Sequence, residues 1–201
     1  MEQRTEEWFN ARLGKVTASR IADLMAKTKS GYSASRDSYM AQLTIERLTQ
    51  KPTEGYTNAA MQWGTDQEPF ARAAYETKTV QLVTEVGFIV HPEIDQAGAS
   101  PDGLVGDEGM VEIKCPESKT MIETLLSDRV PDKYFKQMQW QMACTGRKWC
   151  DYVVFDPRMP ENLQLCVRRV ERDDYIIDEI KAEINKFLAE LDQQVNRLRS
   201  L

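Results

Sequence analysis

The run Met110–Cys115, MVEIKC, constrains this chain more than any other stretch. It is short, rich in apolar residues, preceded by the turn-forming GDEG and stopped by Pro116, which is the pattern of a β-strand. Successive side chains on a strand point to opposite faces, so Ile113 turns into a core while Glu112 and Lys114 share the other side. A fold that buries this strand must therefore place an acid and an ammonium side by side on one face of a sheet.

The remaining pattern supplies the sheet and its cover. Thr5 can cap a helix opened by Glu6 and Glu7, and Thr17 or Ser19 can cap a second helix running through Ile21, Leu24 and Met25. The loop KTKSGYSAS follows. Helical spacing returns from about Ser38 to Leu48 and, after the turn-like KPTEGYTN, from about Ala59 through Tyr75, with Met61, Trp63, Phe70 and Ala74 as its apolar residues. Gln81 to Val90, AGAS before Pro101, and Met110 to Cys115 read as three strands in a meander, with DGLVGDEG as turn residues between the last two. Helices over Glu117–Ser127 and Asp132–Cys144 precede two more strands, WCDYVVFD and LQLCVRRVE, joined by PRMPEN. Asp173 or Asp174 caps a long final helix whose stripe Ile176, Ile180, Ile184, Phe187, Leu191, Val195 and Leu198 suits a core or a subunit contact. With 201 residues, 41% hydrophobic, the chain is long enough for one α/β domain over residues 1–201, a mixed central sheet flanked by helices.

Acid-x-Lys is a weak pattern in a chain that is 29% charged, and it occurs four times, at Glu76/Lys78, Glu112/Lys114, Glu117/Lys119 and Glu179/Lys181. Residues two apart share a face on a strand but diverge by roughly 200° on a helix. Only Glu112 and Lys114 lie in a convincing strand. Asp102, in Ser100-Pro101-Asp102, has nine residues between it and Glu112, room for a tight meander to bring it alongside. Pro131-Asp132 has no such partner downstream and reads as a helix start.

Two converging carboxylates repel unless a cation lies between them, and Mg²⁺ takes oxygen ligands while keeping several waters. Lys114 on the same face can orient or help deprotonate a water and balance charge on an attacked phosphate. The Ile113 carbonyl lies at the edge of such a site and is a further candidate ligand. The competing reading is a surface Glu–Lys pair of little energetic weight.

A formal charge of -6 argues against a nucleic-acid partner, but the charge is uneven. Arg12 to Arg36 holds six basic residues (Arg12, Lys15, Arg20, Lys27, Lys29, Arg36) and one acid, Asp23, whereas Met61 to Leu201 holds 17 basic residues and 25 acids. Cys115, Cys144, Cys150 and Cys166 form no C-x-x-C pair and His91 is the only histidine, so buried thiols are expected rather than a zinc site. One histidine also leaves carboxylates and lysines to carry any hydrolysis. The start MEQRTEEWF lacks the basic and apolar regions of a signal peptide, and no apolar run approaches the ~20 residues of a membrane span, so a cytoplasmic chain without membrane partners is expected.

Pro101-Asp102 followed by Glu112-Ile113-Lys114 resembles the signature of the PD-(D/E)xK, restriction-endonuclease-like nuclease superfamily. More narrowly, the chain resembles the phage lambda exonuclease and YqaJ-like viral recombinase family. The anchors occur in order from the Trp8 region to Arg172: Arg12-Leu13-Gly14 with Thr17-Ala18-Ser19, Trp63-Gly64 and Glu68, Ser100-Pro101-Asp102-Gly103, Glu112-Ile113-Lys114-Cys115-Pro116, Gln137-Met138-Gln139, and Asp156-Pro157-Arg158-Met159.

The resemblance implies a Mg²⁺-dependent exonuclease, with Mn²⁺ as a possible substitute, that digests one strand of duplex DNA 5′→3′ from a phosphorylated end to mononucleotides. It implies that Asp102, Glu112, the Ile113 carbonyl and Glu68 serve the metal, that Lys114 positions the attacking water, and that Gln139 helps place nucleophile or phosphate. Arg12, Ser19 and Ser100 match a pocket for the terminal phosphate. Lys29 falls where a basic loop residue meets the duplex, and Met61 where an apolar wedge parts the strands. The family forms trimeric rings around DNA and leaves a 3′ overhang for a single-strand annealing protein; in such a ring the basic N-terminal segment could line the channel. A PD-(D/E)xK endonuclease, an iron–sulfur nuclease and a noncatalytic DNA-end binder are the alternatives.

Overall fold

The computed structural model describes residues 2–53 and 58–201, so the middle of the expected turn at Lys51–Asn58 lies outside the described residues. In chain order the elements are α1 (Glu6–Arg12), β1 (Val16–Thr17), α2 (Ile21–Met25), β2 (Lys27–Thr28), β3 (Gly31–Tyr32), α3 (Ala34–Thr49) and α4 (Ala59–Thr79). They continue with β4 (Val83–Thr84), β5 (Ile89–Val90), β6 (Ala97–Ala99), β7 (Gly103–Val105), β8 (Gly109–Lys114), α5 (Ser118–Leu126), α6 (Asp132–Thr145), β9 (Trp149–Phe155), β10 (Leu165–Glu171) and α7 (Asp174–Arg199).

The central sheet has five strands in the order β10-β9-β8-β7-β4. Only β8 and β9 run parallel, and α5 and α6 form the crossover that parallel neighbours require. The sheet is therefore mixed and flanked by helices, as the element order predicts. Alternation along β8 assigns its two faces. Val111, Ile113 and Cys115 pack with Val153 and Phe155 against Ala71 and Tyr75 of α4. Met110 packs with Tyr152 and Val154 against Met121 of α5 and Met138 and Met142 of α6. Glu112, two residues from Met110, projects to the α6 side.

A second sheet, β1-β6-β5, shares a separate core with α2, α3, α6 and α7, built around Tyr39, Trp140, Ile180, Ile184, Phe187 and Leu191. This is where the apolar stripe of α7 goes. Thr5 caps α1 through the Trp8 N–H and Asp173 caps α7 through Tyr175 and Ile176, both as expected from sequence.

Other sequence expectations change. Neither Thr17 nor Ser19 caps α2, whose first turn follows Arg20 without a side-chain cap. Gln81–Val90 is not one strand: Val83–Thr84 pairs with β7 in the five-stranded sheet, and Ile89–Val90 pairs with β6 in the other. AGAS belongs to that second sheet, so Asp102 sits where the chain leaves it and enters the first. The turn DGLVGDEG is shorter than expected because Gly103–Val105 is itself a strand. Its first residue must be glycine, since a Cβ there would lie 2.1 Å from Val83 Cγ1. Local patterning gives β7 little signal because it is three residues long, begins with glycine and has a single buried apolar side chain, Val105.

One buried polar group fixes α4 to the sheet. Asp151 on β9 accepts from Tyr75 Oη of α4 at 2.8 Å and from Arg169 Nε and Nη2 of β10 at 2.9 and 3.0 Å. Glu68 lies two helical turns before Tyr75, so the same contact orients it.

The two ends of the α7 stripe differ in weight. Phe187 is fully buried against Tyr39, with ring centroids 5.5 Å apart, whereas Leu198 is 42% exposed. Phe187→Ala is expected to cost about 3–5 kcal/mol of unfolding free energy, and Leu198→Ala to stay within about 0.5 kcal/mol; urea denaturation measures both.

Candidate active site

The β7–β8 pairing sets Gly103 opposite Val111, which carries Asp102 to the level of Glu112. Asp102 Oδ2 accepts from the Ile113 N–H at 2.6 Å, so the acid is held at the mouth of the strand pair rather than free in solvent. Glu112 is 1% exposed, and each of its oxygens has a donor. Lys114 Nζ lies 2.5 Å from Oε1, Gln137 Nε2 donates to Oε1 at 2.7 Å, and Gln141 Nε2 donates to Oε2 at 2.7 Å. The acid and the amine thus share a face, and Asp102 stands beside them.

The electrostatics follow from burial. Desolvation first, then the charge of Glu112, raises the Asp102 pKa well above the ordinary aspartate value. Desolvation opposes the charge on Lys114, but the attraction of Glu112 and Asp102 outweighs it and the amine's pKa is raised. Lys114 is therefore an ammonium that donates and balances charge. Its Nζ also lies 5.2 Å from the ring centroid of Tyr134, which stacks on Tyr152.

Glu68 faces the same cleft, a cavity of about 380 Å³ lined by Gln3, Arg4, Glu68, Glu85 and Asp102 among others. Its Oε2 accepts from Arg4 Nη2 at 2.6 Å, and Arg72 Nη2 lies 3.7 Å from Oε1. Among the described residues no three His, Cys, Asp or Glu side chains converge as a ready-made cage. The donor chemistry nonetheless fits a hard cation. Asp102 and Glu112 crowd one another with a single ammonium between two acids, and carboxylate and carbonyl oxygens are what Mg²⁺ takes. Asp102, Glu112, the Ile113 carbonyl and Glu68 are the groups that would hold it.

Gln139 does not join this set. It is fully buried, donates through Nε2 to the Glu171 carbonyl at 2.8 Å, and accepts from the Asp173 N–H at 2.8 Å, so it ties α6 to the β10–α7 connection. The glutamines at the acid are Gln137, which the sequence motif includes without a role, and Gln141, which lies outside it. The signal was present: positions four apart on a helix share a face, while Gln139 lies roughly 200° from Gln137.

A second cavity of about 370 Å³ gathers Trp8, Arg12, Ser19, Arg20, Tyr39 and Met61. Ser100 Oγ accepts from Trp8 Nε1 at 2.9 Å and from Arg12 Nη1 at 3.3 Å, and the Arg12 guanidinium lies 3.9 Å from the Trp8 ring centroid. Burial pushes the Arg12 pKa down, and among the described residues no carboxylate pairs with its guanidinium. The structure thus brings Arg12, Ser19 and Ser100 together, with Met61, 55% exposed, on the wall. Two peptide bonds, Ser100 to Asp102, join this pocket to the acids.

Lys29 is the exposed turn of the β2–β3 hairpin. The basic N-terminal segment around it is partly neutralised within the chain, since Lys27 pairs with Glu183, Arg36 with Glu190 and Arg20 with Asp23. The Asp156–Met159 motif is structural. Asp156, fully buried, accepts from Ser118 Oγ at 2.6 Å and Arg158 Nε at 2.7 Å, while Arg158 Nη2 donates to the Pro116 carbonyl at 3.0 Å. It fixes the chain as it leaves β8. The four cysteines are free thiols, three of them buried.

This fold, with two acids and a lysine on adjoining strands, defines a nuclease of the PD-(D/E)xK type. Residues 7–148 match the YqaJ-like viral recombinase domain. An alkaline exonuclease from Laribacter hongkongensis (LHK-Exo) is 55% identical, with 98% of this chain and 97% of that chain covered and a TM-score of 0.92. LHK-Exo in complex with dAMP matches equally well. A phage-related exonuclease from Haemophilus somnus 129PT is 16% identical over 92% of this chain and 96% of that chain, with a TM-score of 0.70, and shares the fold. No curated protein matches. The chain belongs to the YqaJ-like viral recombinase family.

The contrast between the glutamines is testable. Gln139→Ala removes a fully buried side chain together with its hydrogen bonds to the Glu171 carbonyl and the Asp173 N–H, and is expected to lower stability by about 1–3 kcal/mol. Gln137→Ala, at a half-exposed position, is expected to lower nuclease activity with little change in the urea midpoint; denaturation and activity measured on both variants check this.

Proposed function

We propose that the chain is a Mg²⁺-dependent 5′→3′ exonuclease acting on one strand of linear duplex DNA from a 5′-phosphorylated end. The observation that carries this reading is the convergence of Asp102, Glu112 and Lys114 two residues from a pocket built of Arg12, Ser19 and Ser100. An arginine with two hydroxyls suits a phosphate dianion. The pocket's nearness to the acids favours cleavage close to a chain end. Release of mononucleotides fits the relative crystallised with dAMP.

In this reading Asp102 and Glu112, with the Ile113 carbonyl and Glu68, hold the cation, which supplies Lewis acidity at the phosphate when bound, with Mn²⁺ as a substitute. Lys114 donates to the attacking water and to the oxygen on which charge grows. Gln137 and Gln141 keep Glu112 oriented, and Tyr134 limits where the Lys114 ammonium can go. Met61 parts the strands beside the phosphate pocket, and Lys29, at an exposed tip, reaches the duplex backbone.

The same reading includes a homotrimeric ring, a 3′ overhang passed to a single-strand annealing protein, one domain over residues 1–201 and a cytoplasmic setting. Among the described residues no helix is long and apolar enough to cross a membrane. The α7 stripe is consumed in the core, so a ring would draw on other apolar residues, among them Phe70, Val80 and Leu82, all strongly exposed.

A 5′-phosphorylated linear duplex is expected to be digested from its 5′ ends in Mg²⁺, and the activity to vanish with chelator. Digestion from the 3′ end, or cutting of closed circular DNA, overturns the reading. Lys114→Ala is expected to lower kcat by about 10²–10³-fold, read by single-turnover assay on protein that still unfolds cooperatively. Light scattering is expected to give three times the chain mass; a monomer removes the ring and leaves the chemistry.

A further inference from the structure

The cleft that holds Asp102 and Glu68 is closed on one side by residues 2–5, which lead directly into α1 and the phosphate pocket. This arm is tied down on both sides of Arg4. Gln3 Nε2 donates to the Val86 carbonyl at 2.9 Å and to the Pro101 carbonyl, one residue before Asp102, at 2.8 Å. Thr5 Oγ1 donates to the Glu2 carbonyl at 2.8 Å and accepts from the Trp8 N–H at 3.3 Å. Between these ties Arg4 adopts a left-handed conformation, φ 66°, which a residue with a Cβ takes up only when its surroundings dictate it. The result is a guanidinium aimed into the cleft, where Nη2 meets Glu68 Oε2 at 2.6 Å.

Arg4 is the hydrogen-bonded partner of Glu68, whereas Arg72, one turn further along α4, lies 3.7 Å from its other oxygen and makes its shorter ion pair with Glu85 at 2.5 Å. The two arginines differ in exposure. The Arg4 side chain is 50% exposed, against 15% for Arg72 and 15% for Glu68. An exposed arginine held by a strained backbone beside nuclease acids has the geometry to leave its carboxylate for another anion. A guanidinium presents paired N–H donors that match two phosphate oxygens. One short segment, Arg4 to Arg12, then contacts the DNA strand twice, at its terminal phosphate and at the acids.

We infer that Arg4 is a substrate-positioning residue that exchanges the Glu68 carboxylate for a backbone phosphate of the strand entering the acid cleft. This rests on the exonuclease reading above. Arg4 would align the phosphodiester against Lys114, and its departure would release Glu68 to the cation.

The test is fluorescence anisotropy with a 5′-phosphorylated linear duplex labelled at a 3′ end, in chelator so that nothing is cleaved, at salt between about 50 and 200 mM. Arg4→Ala is expected to weaken binding roughly tenfold and to reduce the slope of log affinity against log salt by about one. Arg4→Lys keeps the charge and is expected to keep most of that slope, and Gln3→Ala, which loosens the arm, to lose part of the affinity. Wild-type affinity and salt slope in Arg4→Ala overturn the inference. So does a variant whose sole change is its dependence on Mg²⁺ concentration, since Arg4 would then serve only as the counter-ion of Glu68. Digestion by the wild-type protein, run in parallel, reports separately on the exonuclease reading: with digestion intact, only the role of Arg4 is at stake.

Discussion

The structure depends on a carboxylate buried in a place where a carboxylate is costly. Glu112 lies on the central parallel strand, almost without solvent, and an unpaired charge there would destabilise the fold by several kcal/mol. Lys114, Gln137 and Gln141 offset that cost, and satisfying them dictates much else. Helix α6 must cross the sheet with positions 137 and 141 facing down. Strand β8 must place Lys114 on the same side as Glu112, and β7 must bring Asp102 to the open end of the pair. The acid on which the proposed chemistry draws therefore also specifies how helix and sheet dock.

Around that centre, function and scaffold divide the polar residues between them. Asp151 with Tyr75 and Arg169 joins α4 to the sheet, and Asp156 with Ser118 and Arg158 fixes the chain beyond Lys114. Neither network touches the acids, yet one orients the helix that carries Glu68 and the other the segment that follows the lysine. Gln139 belongs with these supports. The Arg12–Ser100 pocket and the acid cleft are likewise one construction, since Ser100 and Asp102 lie two residues apart at the passage between the sheets.

Much of this could be read from residue order. The strand MVEIKC, the same-face relation of Glu112 and Lys114, the partnership of Asp102 and the grouping of Arg12 with Ser100 all follow from period-two alternation or from family motifs, and the structure reproduces these placements. What escaped was what depends on a partner remote in sequence. Strand β7 is hidden because Gly103 leaves room for Val83 where a strand would carry a side chain, and Gln81–Val90 reads as one strand because nothing local reveals that its halves pair with different sheets. Gln139 stands out in the motif but not in the site, because a motif names residues without giving their rotation about the helix axis. The pairing of Lys27 and Arg36 in the N-terminal segment with acids on α7, about 150 residues away, is hidden from residue order for a similar reason.

The sequence by itself determined the groups on which the proposed chemistry draws: two acids, a lysine at strand spacing, a single histidine and no C-x-x-C pair. Alternation on a strand is a local rule, so it survives without knowledge of the fold. The tertiary structure decided which glutamines guard Glu112, which cations stay unneutralised, and that an arginine from the first residues lies against Glu68. Those are contacts between segments far apart in the chain, and only packing brings them within the few ångströms over which hydrogen bonds and ion pairs act.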